Sequence, residues 1–361
     1  MPGYAIYRLP HETHATLVQQ TEGEPAELLS CTELNGKRGF VVAPFEVRND
    51  QPILLIRPDI VKRIPVAELP SIQLPMQKSV VPRGPVSSSV VGEKPAMYYS
   101  IDFANFHSQL QQGTFRKIVL SRCADEQIDS ALSPIDLFCR ACSLYPRMFI
   151  SLVDTAKSGC WLQATPEILL EGKEDGTWCT IALAGTMKLE GDQLQGEGES
   201  VSWSTKNIQE QRYVATYIAE CLEQFTNDFH EEGPFTVRAA DLVHLRSDFT
   251  FTLPDYSCIG DLLHALHPTP AVCGLPKRET FQFIISNEHT PRRYYSGFAG
   301  MLDPERETHL YVSLRCMNLE GNCCHLYAGG GLLKDSVLEQ EWQETEAKLE
   351  TMRRCIVAKK M

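Results

Sequence analysis

The chain has 361 residues and a formal net charge of -12 at pH 7, with 43% hydrophobic and 22% charged residues. This is ordinary globular composition, and the length supports a large core in one big domain or two smaller ones. The acidic balance, with no basic stretch to offset it, repels phosphate backbones and sets nucleic acid aside as a partner.

At the N-terminus, Met1 to Pro10 (MPGYAIYRLP) has neither the basic start nor the apolar run of a signal peptide. No segment approaches bilayer-spanning length, so a cytoplasmic protein without a membrane partner is expected. Up to about Pro75, short strand-like runs (Gly39 to Pro44, Pro52 to Ile56) alternate with turn residues. Gln77 to Pro95, rich in Ser, Val, Pro and Gly, reads as a linker or surface loop. It closes an N-terminal part, residues 1–97, ahead of a more regular region, 98–361.

In that region Tyr99 to Gln112 reads as a helix ending at Gly113, and Lys117 to Ser121 as a β-branched strand. Pro134 to Leu144 is helical. Its Cys139 and Cys142 form a lone CxxC with no second pair or nearby His, so they read as buried thiols rather than a zinc or redox site. The thirteen cysteines are odd in number and scattered through apolar segments, as small buried hydrophobes are in a reducing compartment. Strand-like runs follow at Phe149 to Asp154, Gly159 to Leu162, Ile168 to Glu171 and Trp178 to Ala182. Helices are expected at Ser204 to Phe225 and Thr280 to Ile285, and further strands at Gly297 to Leu302, His309 to Arg315 and Cys324 to Ala328. Consecutive strands joined by short turns imply antiparallel sheets with helices packed outside, an α+β arrangement.

The last helix, Ser336 to Ile356, has the fullest local grammar. Ser336 and Glu339 suit a capping box. Trp342, Thr345, Leu349, Met352 and Ile356 mark a buried stripe. Glu341, Glu344 and Lys348 fall on a neighbouring face, where Glu344 and Lys348, four apart, make by themselves an ordinary solvated ion pair.

Seven segments in order carry more. They are Phe115 to Arg122 (FRKIVLSR), Ala164 to Leu170 (ATPEILL), Leu183 to Thr186 (LAGT), Leu266 to Gly274 (LHPTPAVCG), Arg293 to Gly300 (RYYSGFAG), His309 to Arg315 (HLYVSLR) and Ala328 to Lys348 (AGGGLLKDSVLEQEWQETEAK). Together, over Tyr98 to Arg353, they closely resemble the chorismate-utilising enzymes, which include isochorismate, salicylate, anthranilate and aminodeoxychorismate synthases. The first hundred residues carry no comparable signature; the resemblance implies that they complete the same fold, a sandwich of large antiparallel sheets.

The resemblance implies a chemistry for each residue type. Chorismate is a small dianion, and moving its hydroxyl needs a base for water, an acid for the leaving group and clamps for two carboxylates. Lys117 matches the water-activating lysine, which must be held neutral by burial to act as base. Glu167 matches the general acid, which an apolar setting would keep protonated. Glu210, Glu341 and Glu344 match the magnesium ligands; such an ion needs only a few carboxylates beside water and substrate oxygens. Arg315 and Tyr295 match groups that grip a carboxylate, and Lys348 one beside the metal. Gly185, Thr186, Gly329 and Gly331 fit backbone donors at close approach, and His244 a ring-pocket histidine that alone would read as a hydrogen-bonded core residue.

Lysine at 117, where ammonia-using relatives have glutamine, points to water as nucleophile. Ala184, where the aminodeoxychorismate branch often has a nucleophilic lysine, excludes a covalent route there. With the LHPTPAVCG loop these features favour isochorismate synthase over salicylate synthase, which makes the same intermediate and then eliminates pyruvate. A non-catalytic chorismate-binding protein is the alternative from another class. Two positions depart from the family: Gln211 stands where most relatives have His, and Asn207 where an acidic residue is common, which weakens or resolvates the expected metal site. A monomer or weak homodimer is expected, and whether the product feeds menaquinone or siderophore synthesis is left open by the residues.

Overall fold

The computed structural model describes residues 2–72, 94–129, 131–188, 201–239 and 242–357. In chain order the first strands are β1 (Tyr4–Arg8), β2 (His14–Gln19), β3 (Ala26–Leu28), β4 (Gly39–Ala43), β5 (Ile53–Ile56) and β6 (Ile60–Pro65). Next come α1 (Lys94–Gln111), β7 (Lys117–Gln127), α2 (Pro134–Leu144), β8 (Phe149–Thr155), β9 (Gly159–Thr165), β10 (Ile168–Gly172) and β11 (Thr177–Lys188). Then follow α3 (Thr205–Leu222), β12 (Phe229–Ala239), β13 (Leu242–Thr252), α4 (Ile259–Leu266), β14 (Gly274–Leu275) and α5 (Lys277–Asn287). The described chain ends with β15 (Phe298–Leu302), β16 (Thr308–Val312), β17 (Cys316–Glu320), β18 (Cys323–Leu332) and α6 (Leu338–Ile356). Most of the expected linker, from residue 77 to 93, lies outside the described residues; its last two residues already belong to α1.

The strands form two nine-stranded sheets, ordered β14-β7-β18-β17-β9-β8-β1-β2-β6 and β12-β13-β11-β10-β16-β15-β4-β5-β3. Every pairing recorded between them is antiparallel, as the short connections demand. The first 72 residues feed both sheets: β1, β2 and β6 join the first, and β3, β4 and β5 the second. The fold is α+β, with the two sheets face to face and helices outside.

Strand alternation explains the layering, because successive side chains point to opposite faces. In β1, Ala5 and Tyr7 enter the core between the sheets while Tyr4 and Ile6 face the layer of α2 and α6. In β11, Ile181 and Leu183 face inward and Ala182 and Ala184 lie under α3 and α4. Both faces of these strands are buried, so they read as continuous apolar runs. Cys139 and Cys142 pack into the layer over the first sheet, where burial pushes their thiols up to about 12 and about 11. All thirteen cysteines are free thiols. No helix of the described residues is long and apolar enough to cross a membrane.

Two local expectations are corrected. The capping box is on α2, where Ser133 and Asp136 satisfy each other's backbone N–H groups, and not on α6. There Val337 is the cap residue without a side-chain bond, and the Ser336 hydroxyl accepts from Leu333 N at 3.0 Å. His309 to Arg315 is not one strand either: β16 stops at Val312, and the chain turns through Arg315, with φ +45°, into β17 of the other sheet.

Candidate functional site

Two neighbouring connections carry the chain from one sheet to the other, and the site forms at them. β9 passes through Pro166 and Glu167 into β10, and β16 passes through residues 313–315 into β17. The crossings are bonded to one another: Val312 N donates to Glu167 O at 2.9 Å, and Ala164 N to Arg315 O at 3.1 Å. Glu167 and Arg315 are thereby set side by side in the wall of one cleft. A left-handed backbone at a non-glycine residue is strained, and Arg315 holds it where its side chain is needed.

Ten of the thirteen expected site residues line this cleft: Glu167, Gly185, Thr186, Glu210, His244, Tyr295, Arg315, Gly329, Gly331 and Lys348. Val119, Pro166, Leu183, Ala271, Val272 and Tyr327 add an apolar wall. Lys117, Glu341 and Glu344 do not line it and stand directly behind its surface. Lys117, the first residue of β7, is fully buried, with Nζ 3.0 Å from Glu210 Oε1.

Glu167 is 3% exposed, and burial pushes its carboxyl up to about 8 against the pull of Lys117, Lys348 and Arg315. It therefore carries a proton at neutrality. His244 has the opposite fate: burial, then the charges of Arg315 and Lys348, hold it far below its ordinary value, so the ring is neutral. Its Nδ1 donates to Gly185 O at 3.2 Å, and Nε2 accepts from Arg315 Nη2 at 2.6 Å. The imidazole thus orients the guanidinium, which burial lowers to about 10 and leaves charged at neutral pH.

The glycines are needed for clearance more than for donors. Gly185 is the bulge of β11, with φ +72° and Asn207 packed 3.1 Å from where a Cβ would stand. At Gly329 a Cβ would lie 2.8 Å from Tyr295 Oη, and at Gly331 it would overlap Glu210 Oε1 and come 2.9 Å from Lys117 Cε. The pairing of β17 with β18 runs only to Tyr327, so the next residues of β18 present a sheet edge to the cleft. Lys348 caps that edge, with Nζ 2.9 Å from Gly329 O and 2.6 Å from Glu344 Oε1. Glu344 and Lys348 are about four-fifths buried, so the pair serves the cleft and not the solvated face it resembles in sequence.

Each glutamate of the expected metal set has its own lysine: Lys117 on Glu210, Lys206 on Glu341 and Lys348 on Glu344. Sequence reading missed Lys206, whose only signal is its place one turn before Glu210 on α3. Burial alone would raise Glu210, but the ammonium groups of Lys117 and Lys206 pull it below its ordinary value. Glu341 is raised, by burial and then by the Glu344 charge. Its Oε2 is buried with no hydrogen-bond partner, 3.3 Å from where a Gly330 Cβ would stand, a point that Glu344 Oε1 approaches to 3.5 Å. Three carboxylates with an unsatisfied oxygen are a hard, all-oxygen donor set, the kind that suits magnesium. Their oxygens are not drawn to within 4.8 Å of one another, so the set is gathered but still open.

The two departures have structural roles. Gln211 is fully buried; its Oε1 accepts from Ala184 N at 2.9 Å and its Nε2 donates to Ala182 O at 3.0 Å, pinning α3 to β11 beside the bulge. Asn207 packs on Gly185, and its backbone N–H donates to the cap residue Ser204.

Residues 74–357 match the family model described as chorismate binding enzyme. The chain is 31% identical over 239 residues to the isochorismate synthase EntC of Escherichia coli, covering 65% of this chain and 61% of that protein. It is 32% identical over 256 residues to the salicylate biosynthesis isochorismate synthase of Pseudomonas aeruginosa, covering 70% and 53%. The chain thus spans somewhat over half the length of these relatives. In fold it is similar to the menaquinone-specific isochorismate synthase MenF of Escherichia coli, with TM-score 0.79, 22% identity and coverage of 99% and 89%. It is also similar to anthranilate synthase component I of Streptococcus pneumoniae, with TM-score 0.61, 20% identity and coverage of 71% and 57%.

Proposed function

The chain belongs to the chorismate binding enzymes, and on that premise we propose that it is an isochorismate synthase, adding water at ring C2 of chorismate and releasing the C4 hydroxyl. One observation carries the reading. Glu167 keeps its proton to about pH 8 on the wall of a cleft that also presents Arg315, Tyr295 and Lys348 to an anion.

In this reading Lys117, once it has given up the proton that pairs it with Glu210 and reached the cleft, takes a proton from the water that bonds to C2, and Glu167 gives one to the hydroxyl that leaves C4. Atoms balance: one water enters, one leaves, and the two side chains exchange protonation states that solvent resets. Arg315, held by neutral His244, and Tyr295 clamp one carboxylate, and the β18 edge with Gly185 and Thr186 supports orientation. Glu210, Glu341 and Glu344 would hold a magnesium ion, which when bound would anchor the other carboxylate and neutralise charge. A cytoplasmic location is part of the proposal, supported by the thirteen free thiols.

The test is one product assay, with purified protein, chorismate and magnesium resolved by chromatography. Isochorismate is expected. Salicylate with pyruvate would make the protein a salicylate synthase, and calorimetric binding of chorismate with no product would make it a non-catalytic binder. EDTA should abolish turnover and magnesium restore it; turnover indifferent to both would overturn the glutamate assignment.

A further inference from the structure

Further along the two strands that form the site, beyond its apolar wall, lies a second group of ligating side chains. Cys123 and Asp125 are two residues apart on β7 and so share a face. His325 of β18 stands directly opposite Asp125, and Tyr327 opposite Cys123. The Cys123 sulfur, an Asp125 carboxylate oxygen and a His325 ring nitrogen all lie within 4.8 Å of one another. His325 Nδ1 is 2.7 Å from Asp125 Oδ1, and Cys123 Sγ is 4.0 Å from the same oxygen. On the other side of the imidazole, Nε2 is 3.3 Å from Glu320 Oε2 of β17.

An ion pair between His325 and its two carboxylates would explain three of these four groups. To such a pair the thiol adds only a long 4.0 Å hydrogen bond donated to Asp125, whereas it is a strong ligand for a borderline-soft cation. The ring arrangement points the same way. A metal-bound histidine commonly gives its second nitrogen to a carboxylate that fixes its tautomer, and Glu320 stands in that place. We propose that Cys123, Asp125 and His325 form a zinc-class divalent cation site, with Glu320 orienting the imidazole and a solvent position completing the tetrahedron.

Magnesium is the wrong ion for this site because a thiolate and an imidazole are poor hard-cation ligands. Burial pushes the Cys123 thiol well above its ordinary value, so without a metal it is protonated; a bound cation removes that proton outright. His325 is 12% and Asp125 58% exposed, so an ion can enter from solvent and exchange. The site ties β7 to β18, the strands whose other ends carry Lys117 and Gly329 to Gly331. It is separated from Lys117 by six residues of strand, about 20 Å at ~3.3 Å per residue.

The test uses the full chain in excess magnesium, so that any hard-cation site is filled. Titration with zinc against a chromophoric chelator should find one equivalent, bound at least tenfold more weakly by His325→Gln and by the surface variant Asp125→Asn. Titration with cobalt(II) should give a sulfur-to-metal charge-transfer band that Cys123→Ser abolishes and Cys258→Ser leaves in place. Absence of that band in the unaltered protein, or undiminished zinc affinity in either ligand variant that circular dichroism shows to be folded, would overturn the site.

Discussion

Lys206 of α3 is ion-paired with one oxygen of Glu341 on α6, while the other oxygen of that carboxylate is buried without a partner. A tethered ammonium therefore sits among the carboxylates assigned to a divalent ion, near Glu210 and Glu344 as well. An arriving cation must overcome that charge. In Lys206→Met the opposing charge is gone, and a unit charge ~4 Å away is worth on the order of 4 kcal/mol at the effective dielectric of a partly buried site. Magnesium binding should tighten at least tenfold by calorimetry, and melting in EDTA should fall because Glu341 loses its counter-charge. Equal or weaker magnesium binding in the folded variant would show that Lys206 does not oppose the ion.

Glu167 supplies a pH signature with a definite sign. Its folded value of about 8 lies above the ordinary 4.5, so between these the folded chain holds a proton that the unfolded chain has lost. Stability from this group is then fully present below the unfolded value and falls as pH rises, by up to ~1.4 kcal/mol per unit, until about pH 8. The folded protein gives up this proton only around that upper value, so the acid needed for catalysis is lost, and kcat/KM should decline, above about pH 8. Glu167→Gln should lower turnover by on the order of 10² and flatten the stability slope measured by urea melts at pH 6 and 8. Lys117→Ala should lower turnover by a similar factor, since it removes the proposed base. Near-normal rates in both variants would discard the proton-transfer pair.

The triple glycine of β18 makes a prediction about space. A methyl at Gly331 would overlap the Glu210 carboxylate and crowd Lys117, whereas at Gly330 its nearest neighbour is 3.3 Å away. Gly331→Ala should therefore displace Glu210, weakening magnesium binding and turnover together by at least tenfold. Gly330→Ala should cost far less in both. Equal tolerance at the two positions, read by calorimetry and the product assay, would mean that Glu210 does not lean on β18 as described.

Much of this was legible in the chain, and the gaps have physical causes. Strands such as β8 and the first half of β7 announce themselves through β-branched and aromatic runs because both of their faces are buried. The partners of the site are harder. A lysine one turn before a glutamate reads as an ordinary exposed pair, so Lys206 shows its meaning only when α6 brings Glu341 to it. Asp125 and His325 are 200 positions apart and meet only through strand pairing. Ser336 has the spacing of a capping residue, but its hydroxyl is taken by Leu333 N in the turn before the helix. Gly329 and Gly331 read as backbone donors, yet what excludes a side chain there is the approach of Tyr295, Glu210 and Lys117.

Gln211 tests whether a departure from the family pattern reaches the chemistry. Its amide bonds Ala184 N and Ala182 O of β11 and the Ser247 hydroxyl of the adjoining β13. Gln211→Leu leaves a buried N–H and a buried C=O unpaired, which should cost about 3 kcal/mol in urea unfolding. Gln211→His restores one donor and one acceptor and should recover most of that loss. Because neither variant alters the charge around the glutamates, magnesium affinity in Gln211→His should stay within about twofold of the unaltered chain, a difference of ~0.4 kcal/mol. A tenfold rise in affinity with histidine there would mean that the glutamine weakens the metal site itself, and that its bonds to β11 are not its main consequence.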